Sequence, residues 1–263
     1  MSTKKQSYVF CVANQKGGVG KTTTTVNLAA ALSSLKQKVL LIDLDPQGNA
    51  TMGSGVDKND LDLSVYQVLI GASTIDQSKY RSDAGNYDVL AANRELSGAE
   101  IDLVQIDKRE LQLKKALEHC KTHYDVVLID CPPTLSLLTL NGLAAAHGVI
   151  IPMQCEYFAL EGLSDLVNTI KRVYRNINPG LELIGLLRVM FDGRITLQRQ
   201  VSEQIEMHFG DKVFQTKIPR NVRLAEAPSH GMPGVIYDKS SRGAKAYMDF
   251  GKELIQRLKS AEK

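Results

Sequence analysis

The chain has 263 residues, 43% hydrophobic and 23% charged, with a formal net charge of +3. This is enough for one large α/β domain with a sizeable core, and the composition excludes disordered, fibrous and disulfide-framed classes. No run approaches the ~20 apolar residues of a transmembrane helix. The apolar stretch after Lys4 and Lys5 is too short for a secretory signal core, so a cytoplasmic location is expected.

After a short tail, Met1–Ser7, the run Tyr8 to Ala13 is long enough for one buried parallel strand. It breaks at Asn14 into Gly17-Gly18-Val19-Gly20, followed by Lys21, Thr22 and Thr23 and a helical pattern through Val26, Leu28, Ala29, Ala30 and Leu32. Strand, glycine loop, Lys-Thr and helix in that order form the context of a phosphate-binding loop. Glycines let successive N–H groups converge on a polyphosphate, and the helix N-terminus adds unpaired donors and a positive dipole end. Lys21 then reaches the β/γ-phosphates, and the Thr22 hydroxyl can ligate Mg²⁺.

Val39 to Asp43 reads as a second buried strand ending in D-L-D-P-Q-G-N. Asp43 and Asp45, at i and i+2 of an extended chain, should face the same way beside the loop. Such acids suit the holding of a metal and the orienting of an attacking water. Then come a polar connection (Pro46–Asp60), a short helix (Leu63–Ile70), a strand (Val89–Ala92) and a helix (Lys108–Cys120). Val126 to Asp130 is a wholly apolar strand with an acid at its tip, the position from which a carboxylate reaches Mg²⁺ through water. Pro132-Pro133 stops it. Helices are expected over Leu135–Ala146, Leu160–Tyr174, Leu197–Phe209 and Arg242–Leu258, with strands at Gly148–Pro152 and Leu183–Met190. Ile218 ends a strand that turns into a Pro-bounded loop. Strands separated by helices imply right-handed crossovers: a mainly parallel sheet with helices on both faces, in one domain spanning 1–263. Ligands bind such sheets at the strands' carboxyl ends.

Cys11, Cys120, Cys131 and Cys155 show no metal-ligand spacing and read as small buried thiols. Charge is uneven. Residues 1–170 hold 15 Lys/Arg against 19 Asp/Glu (net −4), and residues 171–263 hold 17 against 10 (net +7). A basic final third fits either a polyanion-facing surface or a solvated, mixed-charge helix face.

K-G-G-V-G-K-T-T, with Lys16 at the head of the loop and Gln15 where the usual loop has glycine, resembles the deviant Walker A motif of the ParA/MinD superfamily. D-L-D-P-Q-G-N, D-C-P-P, E-Y-F-A-L-E-G and I-P-R-N-V-R-L-x-E-A-P-S resemble further motifs of its ParA/Soj branch. The resemblance runs from Val12 to about Tyr247. It implies a P-loop ATPase using ATP and Mg²⁺, in which Lys16 crosses a homodimer interface to the partner's nucleotide; spacing alone leaves Lys16 open as a solvated loop lysine. It also implies that Asp45 orients water, that Asp43 supports the metal site and that Asp130 is the Walker B acid. Pro219 and Asn221 would line the adenine pocket. Arg194 and Arg223 match DNA-contacting positions, with Lys217, Arg220, Arg242 and Lys245 as helpers. The implied partners are a second copy, non-specific double-stranded DNA and a ParB-type centromere-binding protein, and the implied location is the nucleoid. Two other classes share the scaffold. One is a MinD-type membrane regulator, for which Tyr247, Met248, Phe250, Leu254, Ile255 and Leu258 offer a stripe better explained by core packing. The other is a metabolic enzyme of the nitrogenase-reductase or cobyrinate-synthase type.

Overall fold

The computed structural model describes residues 7–261; of the expected tail, only Ser7 falls within them. Eight strands form one sheet among the described residues: β1 (Tyr8–Val12), β2 (Val39–Asp43), β3 (Lys79–Ser82), β4 (Tyr87–Leu90), β5 (Val126–Asp130), β6 (Gly148–Met153), β7 (Glu182–Phe191) and β8 (Val213–Pro219). Their spatial order is β3-β4-β2-β5-β1-β6-β7-β8, parallel throughout except for the β3–β4 hairpin. Because β1, β2 and β5 are central and covered on both faces, their sequences are apolar without alternation, and every residue of β2 and β5 is buried.

Helices α1 (Lys21–Ser34) and α2 (Asn49–Gly53) lie on one face. The chain then covers the other face with α3 (Val65–Leu69), α4 (Ile75–Ser78), α5 (Leu96–Asp102), α6 (Gln112–Cys120), α7 (Leu137–Ala145), α8 (Ala159–Asn176) and α9 (Thr196–Phe209). It returns with α10 (Val222–Glu226), α11 (Gly234–Tyr237) and α12 (Arg242–Ala261). The pleat divides each strand between two cores: Val9 and Cys11 belong to one, Phe10 and Val12 to the other. Tyr247, Phe250 and Leu254 of α12 are wholly buried against α1 and β8, so the C-terminal apolar stripe is core.

Several elements differ from the sequence expectation. The hairpin strand β3 is polar and lies at the sheet edge, where one-sided burial needs no apolar run. Its partner β4 starts two residues before the expected strand and ends at Leu90. The Pro46–Asp60 connection contains α2, and the expected Lys108–Cys120 helix opens as a 3₁₀ turn over Arg109–Leu111. The segment after Ile218 forms α10, capped by Asn221.

Candidate functional site

The loop between β1 and α1 crosses the carboxyl end of the sheet. Gly18 and Gly20 have φ of 72° and 74°, a region costly for other residues. Gly20 stands at the N-cap of α1, and among the described residues no side chain caps that terminus, so first-turn N–H groups are left for an anion. Among the described residues, a Cβ built on Gly17 or Gly18 would meet nothing within 4 Å: the loop backbone borders open space. That space is a cleft of about 280 Å³ walled by the loop glycines, Lys21, Thr22 and Thr23, with Asp45, Asn49 and Pro133 opposite. Val19 is tucked inside at 2% exposure and anchors the loop.

Register brings the acids together. Asp43 and Asp130 are paired neighbours at the tips of β2 and β5, and both are fully buried. The Thr22 hydroxyl donates to Asp130 Oδ2 at 2.7 Å, and Thr25 Oγ1 donates to Oδ1 at 3.0 Å. Burial pushes the Asp130 carboxyl well above the usual carboxylate range, and the neighbouring Asp43 adds to the push. Asp43 is raised as well, chiefly by burial, although Thr51 donates to its Oδ2 from both N and Oγ1 at 2.8 Å. Lys21 is 7% exposed, and its Nζ donates to Lys16 O at 3.1 Å. Burial lowers its pKa against the opposing pull of Asp130 and Asp45. Buried carboxylates beside a threonine hydroxyl, facing uncapped helix N–H groups, are a donor set suited to a hard divalent cation and a polyphosphate.

The expectation that Asp43 and Asp45 face the site side by side is corrected. The chain leaves the strand after Asp43. Asp43 sits behind the cleft with both oxygens engaged, by Thr51 and by Asp45 N at 3.1 Å. Only Asp45 lines the cleft, half-buried, with Oδ1 accepting from Gln47 N at 2.9 Å. Lys16 is exposed and paired with its own chain's Glu156 at 2.5 Å.

Sequence reasoning missed four contributors. Thr25 lies one helical turn beyond the Lys-Thr pair, on the face that looks at Asp130, and α1 periodicity could have shown it. Thr51 clamps Asp43 from α2. Gln154, one residue past β6, donates to Gly18 O at 3.0 Å and to Met190 Sδ at 3.2 Å, bracing the loop. Met190 borders the cleft with φ 52°, left-handed backbone that no residue pattern announces.

Pro219 ends β8 opposite Phe191, and Asn221 Oδ1 accepts from Arg223 N at 2.8 Å as the cap of α10. Neither lines the 280 Å³ cleft, nor the adjoining one of about 290 Å³ between α1, α2 and Leu224, Pro228 and Met232. Of the basic residues, Arg194 lies in the β7–α9 turn, Arg220 and Arg223 follow β8, and Arg242 and Lys245 open α12. All five are exposed around the β7–β8 end of the sheet. Lys217 is set apart: its ammonium lies 5.0 Å from the Phe191 ring centroid and 3.7 Å from Glu206, towards α9.

A sequence profile of the AAA domain matches residues 7–183. The sporulation initiation inhibitor protein Soj of Bacillus subtilis is 50% identical over 94% of this chain and 97% of its own. The chromosome partitioning protein ParA of Myxococcus xanthus is 46% identical over 95% and 88%. Among solved structures, cobyrinic acid a,c-diamide synthase of Mycobacterium smegmatis with bound ADP and magnesium superposes with a TM-score of 0.86 at 40% identity, covering 97% of each chain. With its deviant phosphate loop, its acid-tipped strands and this likeness over nearly its whole length, the chain belongs to the ParA/Soj family of AAA-domain proteins.

Proposed function

We propose that the protein is an ATP-dependent DNA-partitioning switch. The observation that carries this reading is the uncapped N-terminus of α1 behind the glycine loop, facing Asp45 across one cleft, with Thr22 of its first turn bonded to the buried Asp130. The loop N–H groups and Lys21 would hold the β- and γ-phosphates, and Thr22 with Asp130 would hold magnesium. Bound magnesium and triphosphate would supply the phosphoryl group and its charge neutralisation. Asp45, the acid exposed to the cleft, would orient the attacking water, while Asp43 fixes the turn that carries it. Lys16 would leave Glu156 to reach the nucleotide of a second copy. The resulting homodimer would present the basic β7–β8 end to duplex phosphates without reading sequence. The triphosphate-bound dimer would sit on the nucleoid, and hydrolysis, stimulated by a ParB-type partner, would release it. Pro219 and Asn221 line neither cleft, and Asn221 Nδ2 has no hydrogen-bond partner among the described residues; the two would meet a base that reaches past the adjoining cleft.

Co-sedimentation with plasmid DNA, with no nucleotide, ADP or a non-hydrolysable ATP analogue at two salt concentrations, tests the switch. Binding confined to the triphosphate state and weakened by salt is expected, and equal binding in all states would end the reading. Asp45→Ala should bind ATP and DNA but lose turnover under partner stimulation; normal turnover would remove Asp45 from its role. A membrane-bound alternative has lost its anchor candidate, since the α12 stripe is buried in the core and no described helix is long and apolar enough to cross a bilayer.

A further inference from the structure

The two arginines singled out for duplex contact are already occupied. Arg194 is 91% exposed in the turn between β7 and α9, yet Asp192 holds its guanidinium at two points. Nε lies 2.9 Å from Oδ1, and Nη2 lies 2.7 Å from Oδ2. The backbone N–H of Arg194 also donates to Oδ1 at 3.0 Å, so the local turn fixes the carboxylate in place. Arg223 on α10 is held by single contacts to two acids: Nη1 is 2.9 Å from Glu226 Oε2, and Nε is 3.6 Å from Asp238 Oδ2. Arg220, Arg242 and Lys245 form no ion pair among the described residues. The fork contact on Asp192 is the geometry a guanidinium would use on a phosphate.

Resting on the DNA reading above, we propose that Asp192 and Glu226 are resident competitors for backbone phosphate, holding the affinity of the surface below what its arginines would give bare. The Asp192 carboxyl is held well below the usual range by Arg194, with a further contribution from nearby Arg242, so it stays ionised and competes at any physiological pH. Exposed ion pairs add little net stability, so carboxylate exchanges readily for phosphate. One protomer offers two occupied arginines and gains little by the exchange. A dimer offers both sets at once, and the second engagement becomes intramolecular. The competition therefore makes duplex binding depend on the nucleotide-assembled pair rather than on the single chain.

The test is fluorescence anisotropy on a labelled random-sequence duplex with a non-hydrolysable ATP analogue or ADP. It compares the unaltered protein with Asp192→Asn, Glu226→Gln and, as a net-charge control on α6 across the sheet, Glu118→Gln; circular dichroism checks folding. Each of the first two variants should tighten triphosphate-state binding by about two- to five-fold, and together they should give measurable binding with ADP. Glu118→Gln should change it by less. If both variants fold and bind no more tightly than Glu118→Gln, or more weakly because the acids pre-orient the arginines for DNA, the competitor role is overturned. If the unaltered protein binds no duplex in any state, the DNA reading itself fails.

Discussion

Lys21 and Asp130 show what burial does to charge at this site. Lys21 gives up most of its hydration to sit beneath the loop, so its alternative to a phosphate partner is a single carbonyl, Lys16 O. Lys21→Ala should weaken binding of a fluorescent ATP analogue by about 10- to 100-fold, the range of one hydrogen bond to a charged group. The Asp43–Asp130 pair predicts a pH response. Both carboxyls are pushed above the ~3.9 of an exposed aspartate, so the folded protein binds protons that the unfolded chain releases. Stability from this source is highest at low pH and falls as pH climbs above about 4 towards neutrality. The melting temperature of nucleotide-free protein should therefore drop between about pH 5.5 and 8, and Asp130→Asn should flatten that slope. Equal slopes would show that the pair does not titrate in this window.

At the scale of elements, one side chain ties three together. Arg188 of β7 is 1% exposed; Nη1 reaches Ser202 at 2.8 Å and the Glu206 carboxylate on α9, and Nη2 donates to Phe214 O of β8 at 2.5 Å. Glu206 is half exposed, so the pair keeps part of its hydration while the guanidinium does not. Arg188→Ala removes the tie and leaves a cavity, and should cost about 3 kcal/mol in urea unfolding. A loss below about 0.5 kcal/mol would mean that α9 docks through Val201 and Ile205 alone. The tie matters because β7, β8 and α9 carry Arg194 and Lys217.

For the whole molecule, ligand and fold are linked. The proposed site draws on β1, α1, β2 and β5, central elements that cannot open without losing the core, so a nucleotide bound there should stabilise the chain globally. At a hundred times the dissociation constant, about 2.7 kcal/mol is expected. Differential scanning fluorimetry with Mg²⁺ and an ATP analogue should show a rise of several degrees that is absent in Lys21→Ala. An equal rise in that variant would move the nucleotide elsewhere.

Local pattern carried the parallel architecture and the glycine loop of the candidate site. Apolar runs of strand length bounded by turn signals, such as Val126–Ile129, read as strands covered on both faces, and the Gly-Lys-Thr turn between strand and helix reads as a phosphate loop. Other features exist only in three dimensions. The division of labour between Asp43 and Asp45 depends on where the chain leaves the sheet and on Thr51, eight residues away. The bracing of the loop by Gln154, the left-handed backbone of Met190 and the Lys16–Glu156 pair all arise between segments far apart in sequence. The edge strand β3 and helices α2 and α10 escaped because short, half-exposed elements are stabilised by tertiary contacts rather than by periodicity. The sequence also placed Arg194 and Arg223 in a basic region without showing Asp192 and Glu226 seated on them. A charge count sums over neighbours, whereas a folded surface decides which charges meet.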